Sequence, residues 1–262
     1  MSAPGLSSVA HSSGAHSSVA HSSGGGLRIE VLRDLPYAQA EKRMQALLAA
    51  RIADEVPDTL LLVEPQPVFT LGRRPGSAAH VLQAGDVPVV SAARGGDVTF
   101  HGPGQVVGWP IVALPEGRRD LHLWMHGLEL AVMAVLRRYG VPGRRDPRNT
   151  GVWIGDRKAC AIGIGCRRWV TWHGFALNVD TDLSWFSRIN PCGLGPGTVT
   201  RMADHLDAVP PWEQVAQACA EELAAWWTGP DPVAAVAASL AASLAAAQPT
   251  SQPTSSTRPN PG

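Results

Sequence analysis

The chain has 262 residues, 45% of them hydrophobic, and its 22 basic and 22 acidic side chains cancel to zero formal charge. That length and apolar content support one large domain with an ample core. Neutral balance argues against bulk electrostatic binding of nucleic acid or an anionic membrane. The sequence has no run of about 18 apolar residues to span a bilayer and no basic-then-apolar leader, so the expected compartment is the cytoplasm.

Residues 1–26 are low in complexity. The repeat "AHSSGAHSSVAHSSG" (10–24) has no charge and few large apolar side chains, so it reads as a disordered tail, with His11, His16 and His21 as at most weak metal ligands. "LRIEVLR" (27–33) reads as a strand. Residues 37–55 read as a helix with Tyr37, Met44, Leu47, Leu48 and Ile52 on one face. "TLLLVE" (59–64), "PVFTLGRR" (67–74) and "VVGWPIV" (106–112) read as strands. Asp120 is an N-cap for a helix over 121–139, striped by Leu121, Trp124, Leu128, Val132, Val135 and Tyr139 and stopped at Gly140. Residues 151–164 read as a hairpin around a Gly-Asp turn, and 170–180 as a further strand.

Strands and helices alternate without a strict βαβ rhythm. The expected fold is therefore α/β, of α+β character: a mixed, partly antiparallel sheet with packed helices in a single domain over 27–230. An alanine-rich helix over 232–247 and a Pro/Ser/Thr-rich tail over 248–262 would follow.

Three stretches are unusually polar and glycine-rich for so apolar a chain. "RGGDVTFHGPGQ" (94–105) can bring backbone amides close to a ligand, with Arg94 and His101 flanking the glycines; no Gly-Lys-Ser/Thr follows, so it is not a phosphate-binding P-loop. "DRKACAIGIG" (156–165) starts a return strand in which strict alternation puts Lys158, Cys160 and Ile162 on one face. Only two lysines, Lys42 and Lys158, stand among 22 basic residues. A lysine can lose its proton when its site is tuned, whereas arginine stays charged. "WHGFALNVDTDLSWFSRINPCGL" (172–194) ends with Cys192 between a proline and a glycine, where a shaped loop is expected.

That thiol could be packing, half of a disulfide, a metal ligand or a nucleophile. Cys160, Cys166, Cys192 and Cys219 include no CxxC pair or zinc-finger spacing, and in the expected compartment they are free thiols with no structural metal. A nucleophile would need a neighbouring cation to lower its pKa from about 8.5.

In order, "LLLVEPQPVFTLGRR", "RGGDVTFHGPGQ", "KACAIG", "HGFALNV" and "RINPCGL" resemble the octanoyltransferases of lipoate biosynthesis over roughly residues 27–205. Phe100 and Phe175 replace a common tyrosine and leucine. The resemblance implies the fold of biotin- and lipoate-protein ligases. It implies octanoyl transfer from acyl carrier protein to a lysine of lipoyl domains, in 2-oxoacid dehydrogenase acyltransferase subunits and the glycine-cleavage H protein. It implies that Cys192 is the acyl-carrying nucleophile and that Lys158 lowers its pKa, with neither ATP nor a metal required. Substrate contacts would fall on Arg94, Gly95, Gly96, Asp97, Val98, Thr99, Phe100 and His101, on Ala161, Ile162 and Gly163, and on Gly174, Phe175 and Ala176. Asp97 stands where the motif is open and has no chemical role assigned. Arg73-Arg74, Arg144-Arg145 and Arg167-Arg168 would form a landing patch for the acidic carrier. The rival readings are an ATP-dependent lipoate- or biotin-protein ligase and a non-catalytic acyl-binding protein.

Overall fold

The structure is a computed structural model that describes residues 16–20, 27–190 and 196–246. His11, His21, Cys192 and the expected tail over 248–262 lie outside the described residues.

The strands are β1 (His16–Ala20), β2 (Arg28–Leu35), β3 (Thr59–Pro65), β4 (Val68–Leu71), β5 (Val89–Ser91), β6 (Thr99–His101), β7 (Gln105–Ile111), β8 (Gly151–Ile154), β9 (Arg157–Arg167) and β10 (Val170–Asn178). The helices are α1 (Tyr37–Ile52), α2 (Leu121–Arg138), α3 (Trp212–Trp227) and α4 (Pro232–Ala246). Seven strands form one sheet in the order β1-β2-β3-β7-β10-β9-β8, and β5-β4-β6 form a second. β2–β3 and β4–β5 are parallel and the other pairs antiparallel, so both sheets are mixed, as expected.

β1 departs from the expected 1–26 tail. His16–Ala20 pair antiparallel with Ile29–Arg33 of β2. A strand edge offers unpaired N–H and C=O groups, and backbone pairing there needs no apolar side chain.

Helices α2 and α3 cover one face of the large sheet, where Trp124, Leu128, Val132, Val135, Val215 and Leu223 pack on Leu60, Leu62, Val106, Phe175 and Leu177. The Asp120 carboxylate caps α2, accepting from His122 N–H at 2.8 Å and Leu123 N–H at 3.1 Å. α1 covers the opposite face, where Tyr37, Ala40, Met44 and Leu48 meet Leu61, Val63, Val107 and Trp109. The small sheet shelters a third cluster of Phe69, Phe100, Phe186 and Ile189. α4 rests against α2 and is tied to the loop before β8 by a 2.9 Å bond from Arg145 Nη2 to Ser239 Oγ.

Candidate active site

Cys160–Arg167 of β9 pair with Val170–Leu177 of β10, with Ala161 opposite Ala176, Ile162 opposite Phe175 and Gly163 opposite Gly174. Their sequences alternate large and small. Cys160, Ile164, Phe175 and Leu177 fill the α2/α3 core. The small residues between them leave room on the other face, and a cavity of about 100 Å³ lies there. The loop Arg94–Thr99 closes over it: Gly95 N–H donates to Ile164 O at 2.8 Å. Gly163 makes that approach possible, since a Cβ there would sit 2.9 Å from Gly95 O.

Lys158 enters this cavity because of a bulge. Val152 faces Cys160 but Trp153 faces Lys158, so the register slips by one residue. The slip corrects the expectation that Lys158, Cys160 and Ile162 share a face. Lys158 lines the cavity beside Ala161 and Gly163. Cys160 is buried in the core, where desolvation pushes its thiol up to about 12 despite the nearby Lys158. Lys158 Nζ donates to Asn149 Oδ1 at 2.5 Å and lies 5.9 Å from the centre of the Trp153 ring.

Arg94 is buried and its guanidinium ties the loop to β4, donating to Asp97 O at 2.8 Å, Thr70 O at 2.8 Å and Thr70 Oγ1 at 2.7 Å. Asp97 is equally structural. Burial pushes its carboxyl up, but bonds from His80 Nδ1 (2.7 Å), Val98 N–H (2.7 Å) and Ser77 outweigh that and hold it below the usual carboxylate range.

His101 is held in one tautomer. Gln105 Nε2 donates to Phe100 O at 3.1 Å and to Asn178 Oδ1 at 2.9 Å, while Asn178 Nδ2 donates to Thr200 O at 3.0 Å. Gln105 Oε1 is therefore an acceptor, and His101 Nδ1, 3.1 Å away, carries the proton. The Nε2 of His101 is left as a lone pair. His173 stands at φ +54°, a left-handed conformation that is unfavourable for a non-glycine residue. It breaks the strand's alternation and sets the ring edge-on to Trp109, with centroids 5.6 Å apart. Its Nε2 is buried with no hydrogen-bond partner among the described residues. Burial, with Arg94 nearby, lowers both imidazoles to about 3, so both are neutral near pH 7.

Of the residues expected at the site, Arg94, Gly95, Gly96, Asp97, Val98, Thr99, His101, Lys158, Ala161, Ile162, Gly163, Gly174, Phe175 and Ala176 all line this one cavity. Phe100 does not. It alternates to the other side of β6 and stacks on Trp185, with centroids 5.2 Å apart. Cys192 lies outside the described residues. Before it, Asn190 N–H donates to His80 O at 2.8 Å; beyond it, Val199 bridges to Lys158. Sequence reasoning missed Asn149, Gln105, Trp109, Asn178, Phe186 and Val199. The asparagines and Gln105 carry no motif signal of their own, although Gln105 ends the glycine-rich stretch and Asn178 lies within "HGFALNV".

Arg144-Arg145 and Arg167-Arg168 do not form one patch. Arg144 bonds Gly155 O, Asp146 and Asp156, and Arg145 bonds Ser239. Arg167 ends β9, nine residues from Lys158, or about 30 Å along the strand at roughly 3.3 Å per residue.

Residues 36–224 match the lipoyl protein ligase A/B catalytic domain. The octanoyltransferase of Rubrobacter xylanophilus is 47% identical over 178 residues, covering 65% of this chain and 80% of that protein. That of Gloeobacter violaceus is 49% identical over 162 residues, covering 61% and 72%. Among solved structures, lipoate-protein ligase A bound with ATP superposes with a TM-score of 0.61 at 15% identity, covering 75% of this chain and 83% of that one. A bi-partite lipoate protein ligase from Thermoplasma acidophilum does so with 0.58 at 15% identity, covering 74% and 80%. The two structures share the fold.

Proposed function

The chain belongs to the lipoyl protein ligase A/B catalytic family, and from that premise we propose that its cavity holds an octanoyl group carried as a thioester on Cys192. Its activity is octanoyl transfer in protein lipoylation. The observation that supports the mechanism is the convergence of the glycine-rich loop, the lysine strand and the "HGFALNV" strand on one cavity, with Lys158 in its wall.

The Lys158 ammonium favours the Cys192 thiolate. The thiolate attacks the octanoyl thioester of acyl carrier protein. As the carrier's phosphopantetheine thiolate leaves, Lys158 gives it a proton and becomes an amine. The acceptor lysine of a lipoyl domain then attacks the acyl-enzyme as a free amine. Lys158 takes the surplus proton, and the Cys192 thiolate departs beside a restored ammonium. Protons balance over the two half-reactions, and arginine could not serve because it does not release its proton. The acyl group stays at the thioester level until it becomes the lysine amide, so the cycle requires no ATP, and no step in it draws on a metal. Val199, seven residues beyond Cys192, pairs with Lys158, which supports this reading.

About six methylenes held in the cavity at ~0.8 kcal/mol each contribute roughly 5 kcal/mol of binding. Acceptors are the lipoyl domains of 2-oxoacid dehydrogenases and the glycine-cleavage H protein. The reaction belongs in the cytoplasm, a reducing compartment that suits a working thiol; the three described cysteines are free. Among the described residues no helix is long and apolar enough to cross a membrane.

Incubation with octanoyl-acyl carrier protein, followed by peptide mass mapping, tests the reading. One octanoyl increment on the peptide holding Cys192, absent in Cys192→Ser, is expected. An unmodified wild type, or an undiminished adduct in Cys192→Ser, overturns it.

A further inference from the structure

Resting on that reading, we propose that Asn149 is a positioning residue for Lys158: its neutral amide oxygen orients the lysine nitrogen while letting it pass between ammonium and amine.

The geometry carries the assignment. Asn149 Oδ1 lies 2.5 Å from Lys158 Nζ, and both residues line the cavity. The backbone fixes Asn149 on both sides. Its N–H donates to Asp146 O at 3.4 Å, and its C=O accepts from Trp153 Nε1 at 3.2 Å. Trp153 faces Lys158 across the β8–β9 ladder, so the amide and the lysine are referred to the same indole.

The chemistry explains the residue type. An ammonium has three N–H donors and an amine two. An amide oxygen accepts one of them in either state, so this bond survives the whole cycle. A carboxylate in the same place would favour the ammonium and oppose the amine that the second half-reaction needs. Charge is plentiful nearby: Arg144, Arg145, Asp146 and Arg148 in the preceding loop, Asp156 and Arg157 in the hairpin, Glu129 on α2, which accepts from Gly151 N–H at 2.9 Å, and the Cys160 thiol behind. Asp146 is engaged by Arg148 and Arg144, which hold its carboxyl well below the usual range.

The test uses acyl-enzyme formed in advance on the full chain and follows transfer to a lipoyl domain in single turnover across pH. Asn149→Asp is nearly isosteric. It should still acylate, but the rise of its transfer rate with pH should move up by about one unit or more, the shift that an opposite charge within a few ångström produces. Asn149→Ala keeps both backbone bonds. It should lose about tenfold in transfer rate, with no upward move of the profile and a melting temperature close to wild type. An unmoved profile in Asn149→Asp, or a transfer rate in Asn149→Ala within twofold of wild type, overturns the proposal. A wild type that never acylates refutes the thioester reading instead, so the two failures are distinguishable.

Discussion

The two faces of β10 and β9 differ in side-chain volume. On one, Cys160, Ile164, Phe175 and Leu177 pack into the α2/α3 core, with Phe175 also reaching the cavity wall. On the other, Ala161, Gly163, Gly174 and Ala176 leave the cavity, and Lys158, Gln105 and Asn178 put polar groups into it. The same two strands thus supply stability on one side and an acyl slot on the other. Large residues hold the sheet rigid, and the small ones opposite are useful only because it is rigid.

The comparison predicts that changes on the cavity face alter chemistry and changes on the core face alter stability. The largest effect belongs to Lys158→Ala, which should slow transfer by about 10²- to 10⁴-fold, the range of a positioned acid–base group, while thermal unfolding stays near wild type. Its readout is the single-turnover rate, and a loss under tenfold would blur the two faces. Leu128→Ala, on the core side, should destabilise by about 2–5 kcal/mol in denaturant titration, while the folded fraction acylates normally.

Acid should strike the cavity side. Neutral His101 and His173 are depressed from 6.5 to about 3, so the unfolded chain binds their protons first. Their contribution is fully present above pH 6.5 and is lost as pH falls towards 3, at roughly 1 kcal/mol per pH unit for each histidine. His101→Gln should flatten that slope in pH-dependent unfolding, and an unchanged slope would show that His101 is not the source. The smallest change is Ala176→Val. Added volume in the slot should favour shorter acyl chains, with each methylene worth ~0.8 kcal/mol, about fourfold, in competition between hexanoyl and octanoyl carriers.

Much of this division is legible in the residue string. "ACAIGIG" and "GFAL" alternate small and large with the period of a strand, and the stripe and cap of α2 follow from Asp120, Trp124, Leu128 and Val132. What the string hides is long-range or irregular. The bulge that turns Lys158 into the cavity is a property of the β8–β9 pairing and breaks the alternation argument at that residue. The φ of His173 is set by its surroundings against local preference. Asn149 is an unremarkable loop residue until the hairpin folds back beside it. β1 exists only because β2 has an open edge. Helix α3 is absent from the elements expected, although Trp212, Val215, Ala216, Cys219 and Leu223 recur at helical spacing.

The central claim is that the acyl group waits on Cys192 as an activated thioester. The most direct measurement is a chase: octanoyl-enzyme, freed of acyl carrier protein, is mixed with an apo lipoyl domain without ATP or added metal. The account predicts that octanoyl leaves Cys192 and appears on the domain's lysine at equal rates, and that Lys158→Ala stalls both. An adduct that persists or hydrolyses without reaching the lysine, or transfer that requires ATP, would contradict it.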